Sequence, residues 1–162
     1  MKNWRDVIKE AEWMHVHKGA FAYFYGAKGV VLTDDVMESL WKAEPDYFRR
    51  YTDAQKKKIF NYSRGKIGFD CSGFIAKITG CNTYSGAIWE KCREKTTPAL
   101  GPAGSILWKP GHVALDIGLG FGIEMGAELS SVEMFRISEH EPKFEGSGKL
   151  RTFIDYTGAT NL

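Results

Sequence analysis

Cys71 lies where the sequence predicts the start of a short amphipathic helix. It belongs to the segment FDCSGF at residues 69–74, and the helix is predicted to run from about Cys71 to Thr79 and to end at Gly80. A thiol at a helix N-terminus meets unpaired backbone N–H groups and the positive end of the helix dipole. Both favour the thiolate, so we expect the pKa of Cys71 to fall below its free value of about 8.5. Cys71 is therefore a candidate nucleophile.

His112 opens a segment that reads as a β-strand, and it is the candidate base for this thiol. Strand alternation places His112, Ala114 and Asp116 on one face. If the glycine-rich loop after the strand has three residues, Ala114 lies opposite Glu124, and Glu124 becomes a diagonal neighbour of His112. We then expect Glu124 to accept the Nδ1 proton of His112 and to aim Nε2 at Cys71. Asp116 stays open as an alternative orienting residue.

The rest of the chain divides into helices first and strands afterwards. This order predicts an α+β fold, an antiparallel sheet with helices packed on one side. Apolar residues at helical spacing predict the first helix, and aromatic residues followed by glycines predict an extended segment that ends in a turn. The predicted elements are a helix at 4–14, an extended segment at 21–29, a helical insertion at about 33–60, a helix capped by Ser85, and strands at 105–108, 112–117, 121–125, 132–137 and 150–156, with a polar loop at 145–149.

Length, charge and composition exclude several classes of protein. A chain of 162 residues is the size of one domain, and a net charge of +2 is too small to indicate a nucleic-acid partner. Residues 1–10 carry scattered charges and lack the apolar stretch of a signal peptide. The sequence contains no run of about 18 apolar residues, the length needed to span a bilayer. Three cysteines, an odd number, fit a reducing compartment, with Cys81 and Cys92 as structural residues. His15 and His17 have no further ligand at a suitable spacing, so we expect no metal and no cofactor.

Several segments together resemble the NlpC/P60 family of cell-wall cysteine peptidases. They are FDCSGF at 69–74, HVALDIG at 112–118, the position of Glu124 twelve residues beyond His112, YFYGA at 23–27 and GSILW at 104–108. The segment YSGAIW at 84–89, the helical insertion and the closing residues 149–156 resemble the phage and prophage endolysin branch in particular. The resemblance covers about residues 19–156.

The resemblance implies a papain-like α+β fold and hydrolysis of amide bonds in peptidoglycan stem peptides, typically the bond after a γ-linked D-glutamate. Cys71 would be the nucleophile, His112 the general base and then acid, and Glu124 the orienting residue. The backbone N–H of Cys71 would contribute to the oxyanion hole. We predict that the substrate is bound by Tyr23, Asp70, Ser72 and Trp89.

Four alternatives remain at this point. The same fold could carry an amidase acting on the muramyl–L-alanine bond, or an acyl transferase or deamidase. A catalytically inactive module that binds the wall or a partner would keep the scaffold without reactive Cys71. We expect a monomer with no membrane or nucleic-acid partner, made in the cytoplasm. It would reach the wall after holin-type release, within a phage particle or by means of a lost leader.

Overall fold

A six-stranded antiparallel sheet forms the centre of the molecule, and the order of its strands is Arg93–Thr96, Gly146–Lys149, Ile106–Lys109, His112–Gly118, Phe121–Met125 and Val132–Arg136. The computed structural model describes residues 1–160. The helices are α1 (Trp4–Val16), α2 (Asp34–Ala43), α3 (Pro45–Phe48), α4 (Asp53–Ser63), α5 (Cys71–Thr79) and α6 (Ser85–Lys91). The strands are β1 (Lys2–Asn3), β2 (Phe21–Tyr23), β3 (Lys28–Val31), β4 (Ile67–Phe69), β5 (Arg93–Thr96), β6 (Ile106–Lys109), β7 (His112–Gly118), β8 (Phe121–Met125), β9 (Val132–Arg136), β10 (Gly146–Lys149) and β11 (Ile154–Asp155).

The main core lies between this sheet and two helices, α1 and α5. Both helices contact β8, and each buries its apolar stripe against one face of the sheet. Phe74 and Ile75 of α5 are fully buried in the same cluster as Val113 and Leu115 of β7. Burial of each such side chain contributes about 1.5–3 kcal/mol to the free energy of unfolding. The packing therefore holds the first turn of α5 against the first residues of β7.

The opposite face of the sheet carries a smaller apolar cluster of Leu107, Ala114 and Phe144. The last of these comes from the chain after β9, so loop residues rather than helices cover this part of the sheet. Side chains of β7 that alternate away from the main core are consequently buried as well. Asp116 is one of them, at 3% exposure.

A second, three-stranded sheet delivers the chain to α5. Its order is β2-β4-β3, with β2 and β4 parallel and β3 antiparallel to β4. Strand β4 ends at Phe69, and α5 begins two residues later. Helices α2, α3 and α4 lie between β3 and β4 in the chain, where the sequence predicts a helical insertion. They bury their own apolar cluster, which includes Phe24, Met37, Phe48 and Ile59.

Two predicted features near the C-terminus are wrong. Residues Gly146–Lys149, predicted to be a loop, form β10 between β5 and β6, and only Ile154–Asp155 of the predicted strand 150–156 is a strand. The loop is predicted from its glycines, but these glycines make room for the indole ring of Trp89. A Cβ atom added to Gly146 would lie 2.7 Å from this ring. The strand needs glycine beneath the ring, and glycine in a sequence usually indicates a turn.

The start of α6 also differs from the prediction. The helix begins at Ser85 itself, so the N-cap position falls on Tyr84, which makes no side-chain capping hydrogen bond.

Among residues 1–160, no helix is both long enough and apolar enough to cross a membrane.

Candidate active site

The start of α5 is fixed by Asp70, which occupies the N-cap position. Its Oδ1 accepts a hydrogen bond of 2.6 Å from the backbone N–H of Gly73, one of the donors that a helix N-terminus leaves unpaired. Cys71 is the first residue of the helix and is buried, with 7% of its surface exposed. At the other end, Gly80 closes the helix in the left-handed conformation (φ 88°), as the sequence predicts.

The sulfur of Cys71 lies against the backbone at the start of β7. Its S–H donates to the carbonyl oxygen of Gly111 at 3.9 Å, and the backbone N–H of Val113 donates towards the sulfur. Gly111 and Val113 are the residues before and after His112. The thiol therefore lies beside the backbone segment that carries the imidazole.

The pKa of Cys71 moves in the direction opposite to the one expected from the sequence. Burial raises the pKa of the thiol to about 11, with a further increase from the charge of Asp70. The Val113 N–H, the Lys28 ammonium and the Ser72 backbone lower it, but burial prevails. Removing the thiolate from water raises the pKa of Cys71 more than the donors at the helix N-terminus lower it. A thiolate at this position therefore needs a cation formed beside it.

His112 and Glu124 lie in contact, on neighbouring strands of the central sheet. Leu115 pairs with Ile123 and Asp116 with Gly122, the register on which the sequence prediction depends. His112 Nε2 is 2.5 Å from Glu124 Oε2. The prediction assigned the other ring nitrogen to this bond: in the structure Nε2 binds the carboxylate, and Nδ1 is the nitrogen left for exchange with a thiol.

His140 is the part of this cluster that the sequence analysis did not find. It follows a short 3₁₀ turn at Ile137–Glu139, and its Nε2 is 2.9 Å from Glu124 Oε1. Burial would raise the pKa of Glu124, but the hydrogen bonds and charges of His112 and His140 outweigh it and lower that pKa below its ordinary value. The chain between β9 and β10 has no periodicity that could have indicated this contact.

Asp116, the alternative orienting residue, lies elsewhere. Its Oδ1 accepts a hydrogen bond of 2.8 Å from the backbone N–H of Gly118. Its side chain lines a separate cavity with Gly120 and Ile137, on the face covered by loop residues. Burial raises the pKa of Asp116 to about 7, against a smaller lowering by the Gly118 N–H. The structure therefore places Glu124, and not Asp116, against His112.

Two adjoining hollows open beside Cys71 and His112. One, of about 410 Å³, is lined by Cys71 together with Asp70 and Ser72. The other, of about 530 Å³, is lined by His112, Glu124 and His140. Tyr25 and Gly111 line both. An extended ligand that crosses from one hollow to the other would pass the sulfur and the imidazole in turn.

The predicted substrate-binding residues have different surroundings. Tyr23 is buried at 4% exposure and lines the larger hollow. Asp70 and Ser72 line the smaller one, but they bind each other at 3.0 Å and both contact the ammonium of Lys28, with 2.8 Å between Lys28 Nζ and Asp70 Oδ1. Their polar atoms therefore organise the start of α5.

Trp89 is not at the site. Its indole stacks on Trp108, with ring centroids 5.0 Å apart and an interplanar angle of 5°. It is not among the side chains that line either hollow beside Cys71. Its ring covers β10 instead, so the structure does not bring Trp89 together with the other predicted substrate-binding residues.

The helices between β3 and β4 supply a wall of the larger hollow. Tyr47 lines it and stacks on Tyr25, with ring centroids 3.8 Å apart. The hydroxyls of Tyr47 and Tyr51 donate to Oε2 of Glu128 at 2.8 and 2.7 Å. Glu128 is 8% exposed and belongs to the loop between β8 and β9. These bonds connect the helical segment to the central sheet, and no pattern in the sequence indicates them.

Comparison with known proteins supports the fold. No protein-family model matches the chain, and no curated protein matches it. A solved structure does match: the peptidoglycan hydrolase RipB from Mycobacterium tuberculosis, with a TM-score of 0.55 and 18% sequence identity. The match covers 91% of this chain and 66% of the RipB chain, so the present chain spans just under two thirds of that structure. At this identity the likeness shows a shared fold: the chain has a mixed α/β architecture similar to that of a peptidoglycan hydrolase.

Proposed function

We propose that this chain is a cell-wall hydrolase that cleaves amide bonds of peptidoglycan stem peptides with the Cys71 thiol. The observation that carries the proposal is the placement of the Cys71 sulfur against Gly111 and Val113, which flank His112, while Glu124 binds the far side of the same imidazole. Nucleophile, base and orienting group in this order are the elements of covalent acyl transfer. The fold shared with RipB supports peptidoglycan as the substrate.

The reaction would begin with transfer of the Cys71 proton to Nδ1 of His112. Because burial raises the pKa of the thiol to about 11, thiolate and imidazolium would form together as one coupled pair. The sulfur then attacks the amide carbon. The backbone N–H of Cys71, in the first turn of α5, has no acceptor within the helix and would stabilise the oxyanion.

Collapse of this intermediate breaks the C–N bond, and His112 returns the proton to the leaving amine. A water molecule then attacks the thioester with His112 as base, releasing the carboxylic acid and restoring the thiol. Glu124, held on Nε2, keeps Nδ1 free for both transfers and stabilises the imidazolium. Tyr23 and Tyr47 would contact the stem peptide in the larger hollow.

We further propose that the bond follows a γ-linked D-glutamate and that the chain acts as a single, monomeric catalytic domain of a phage-type lysin, with residues 33–60 as an insertion. These finer assignments rest on the sequence resemblance. The amidase, acyl transferase and deamidase alternatives differ from them only in which bond is cut or formed.

Product analysis tests the proposal. Purified wall or defined muropeptides are incubated with the wild-type chain and with Cys71→Ala, and the products are identified by mass spectrometry. We expect new amine and carboxyl ends only with the wild type, at a stem-peptide bond that the masses identify. Equal release by both chains would overturn the role of Cys71.

One observation favours a second candidate, an inactive module that binds the wall. A buried thiol with a pKa near 11 is protonated at neutral pH and reacts slowly on its own. Labelling with iodoacetamide at pH 6 separates the two. Rapid labelling of Cys71 that is lost in His112→Gln supports the enzyme, and no labelling in either chain supports the inactive module.

A further inference from the structure

The nitrogen and oxygen atoms of His112, Glu124 and His140 face one another in a single cluster. One ligand atom from each residue lies within 4.8 Å of the other two. The residues come from β7, from β8 and from the loop after β9, so the fold and not a local motif brings them together. Their side chains are 12–15% exposed and line the larger hollow, through which an ion could enter.

Two imidazoles and one carboxylate are a ligand set suited to a borderline-soft divalent cation. Zinc takes histidine nitrogen and carboxylate oxygen in four-coordinate sites, and a site with three protein ligands leaves a position for water. Calcium and magnesium prefer sites made of oxygen atoms alone, so two histidines select against them. The set carries one negative charge when both imidazoles are neutral, which favours a dication.

The surroundings of His140 prepare its Nε2 for such a role. Its Nδ1 is 3.1 Å from the carbonyl oxygen of Pro142. In the tautomer that carries its proton on Nδ1, this nitrogen can donate to that carbonyl, and the lone pair of Nε2 faces Glu124 Oε1, 2.9 Å away. Two lone pairs facing each other repel, and either a proton or a cation between them removes the repulsion. A backbone carbonyl on the second ring nitrogen is the usual support of a metal-bound histidine.

We propose that His112, Glu124 and His140 form a binding site for a zinc-class divalent cation, and that the bound cation inhibits the hydrolase. The ion takes the lone pair of His112 Nε2, so the ring proton that lay between Nε2 and Glu124 moves through solvent to Nδ1, and both side chains are held on the ion. His112 can then no longer cycle a proton with Cys71. The inhibitory part rests on the proposed function, whereas the binding part does not.

A nearby ammonium keeps the binding reversible. Lys109 Nζ lies 3.4 Å from His140 Nδ1 and donates to the Pro142 carbonyl at 2.8 Å. Its positive charge opposes a dication without contacting the three ligand atoms. We therefore expect chelators to remove the ion from the folded chain.

Zinc binding is measured on the full chain carrying Cys71→Ala, because this background lacks the proposed nucleophile and cannot bind through its thiol. Isothermal titration with Zn²⁺ alone should give one ion per chain. In the same background, Glu124→Gln and His140→Gln should each weaken binding by more than about tenfold. The double variant His15→Gln/His17→Gln is the matched control, since it removes two histidines outside the cluster, and it should bind as tightly as the parent.

A second measurement keeps the proposal testable if a variant fails to fold. Diethylpyrocarbonate modifies accessible histidines of the Cys71→Ala chain, and mass spectrometry locates the modified sites. Zn²⁺ should protect His112 and His140 and leave His15 and His17 unprotected. Absence of binding, equal protection of all four histidines, or affinity unchanged in Glu124→Gln and His140→Gln would overturn the site.

Inhibition is measured separately with the wild-type chain. Zn²⁺ should suppress muropeptide release and a chelator should restore it. In His140→Gln, the midpoint of inhibition, relative to that variant's own zinc-free rate, should shift to more than about tenfold higher zinc. Zinc binding by a chain that releases no muropeptide would uphold the metal site and overturn the proposed hydrolase, and full activity with zinc bound would overturn the inhibitory part.

Discussion

Glu124 and Asp116 are carboxylates of the same β-hairpin, β7–β8, and both are largely buried, yet their environments have opposite effects. Glu124 lies between two imidazoles and has a pKa lowered below the ordinary value. Asp116 has one backbone N–H as its partner and a pKa raised to about 7. Burial raises the pKa of both carboxyl groups, so the difference comes from the interactions of His112 and His140 with Glu124, which lower its pKa. On this hairpin the neighbours of a carboxylate decide its chemistry.

The largest effect should follow from removing the imidazole of His112, which contacts Glu124. We expect His112→Gln to lower the rate of muropeptide release on the order of 10³-fold or more, because it removes the proposed acceptor of the Cys71 proton. Mass spectrometry of released fragments measures the rate. His15→Gln is the control, since His15 Nδ1 binds the carbonyl of Val132 in another part of the fold, and it should keep the wild-type rate.

Substitution of Asp116 should change the free energy of unfolding. The folded chain holds Asp116 protonated up to about pH 7, whereas the unfolded chain ionises it near 3.8. This contribution to stability is therefore complete below about pH 4 and is lost as the pH rises towards 7. Asp116→Asn keeps the acceptor for Gly118 and has no charge to bury. We expect it to exceed the wild type in free energy of unfolding by about 2–4 kcal/mol at pH 8.

Urea denaturation of both chains at pH 4 and pH 8 checks this expectation. The two chains should differ little at pH 4 and most at pH 8. A difference that is constant across this range would mean that Asp116 ionises normally in the folded chain, and the contrast with Glu124 would then disappear.

A direct comparison of the two carboxylates comes next. Glu124→Gln should lower the hydrolysis rate by roughly 10²-fold, because a neutral amide cannot stabilise the imidazolium. Asp116→Asn should change the same rate by less than about twofold, since its side chain lines a separate cavity. The reverse order would make Asp116 the orienting residue.

Glu128 is a third buried carboxylate, and we expect the smallest effect from a change at one of its hydrogen-bond partners. Its partners are the hydroxyls of Tyr47 and Tyr51. We expect Tyr51→Phe to lower the free energy of unfolding by about 1.5–3 kcal/mol, the range for a hydrogen bond to a charged group. Thermal denaturation measures it. Tyr62→Phe, a change in the same helical segment whose hydroxyl makes no hydrogen bond among the described residues, is the control and should have little effect.

The features that the sequence predicted well are those set by neighbours in the chain. The predicted start of α5 at Cys71 is set by the local hydrogen bond to Asp70, and the loop at 118–120 fixes the register of β7 and β8 by its left-handed backbone at Gly118, Leu119 and Gly120. Both follow from residue type and spacing alone, and so the contact between His112 and Glu124 could be anticipated.

The features that the sequence missed depend on contacts between distant segments. His140 reaches Glu124 through the fold of the chain after β9, and β10 uses glycines because the indole of Trp89 lies on them. The pKa of Cys71 was expected to fall because the local helix terminus is visible in the sequence, whereas the burial that raises it comes from packing against β7. Neither pattern nor propensity encodes such distances.

The hydrogen bonds from Tyr47 and Tyr51 to Glu128 hold the helical segment between β3 and β4 at a fixed position on the central sheet. This segment forms one wall of the larger hollow. Variation in the side chains that this segment turns towards the hollow would change which ligands enter, while the two tyrosines and the glutamate keep the wall in register with the sheet. Selectivity could thus diverge among related chains without disturbing the residues around the sulfur.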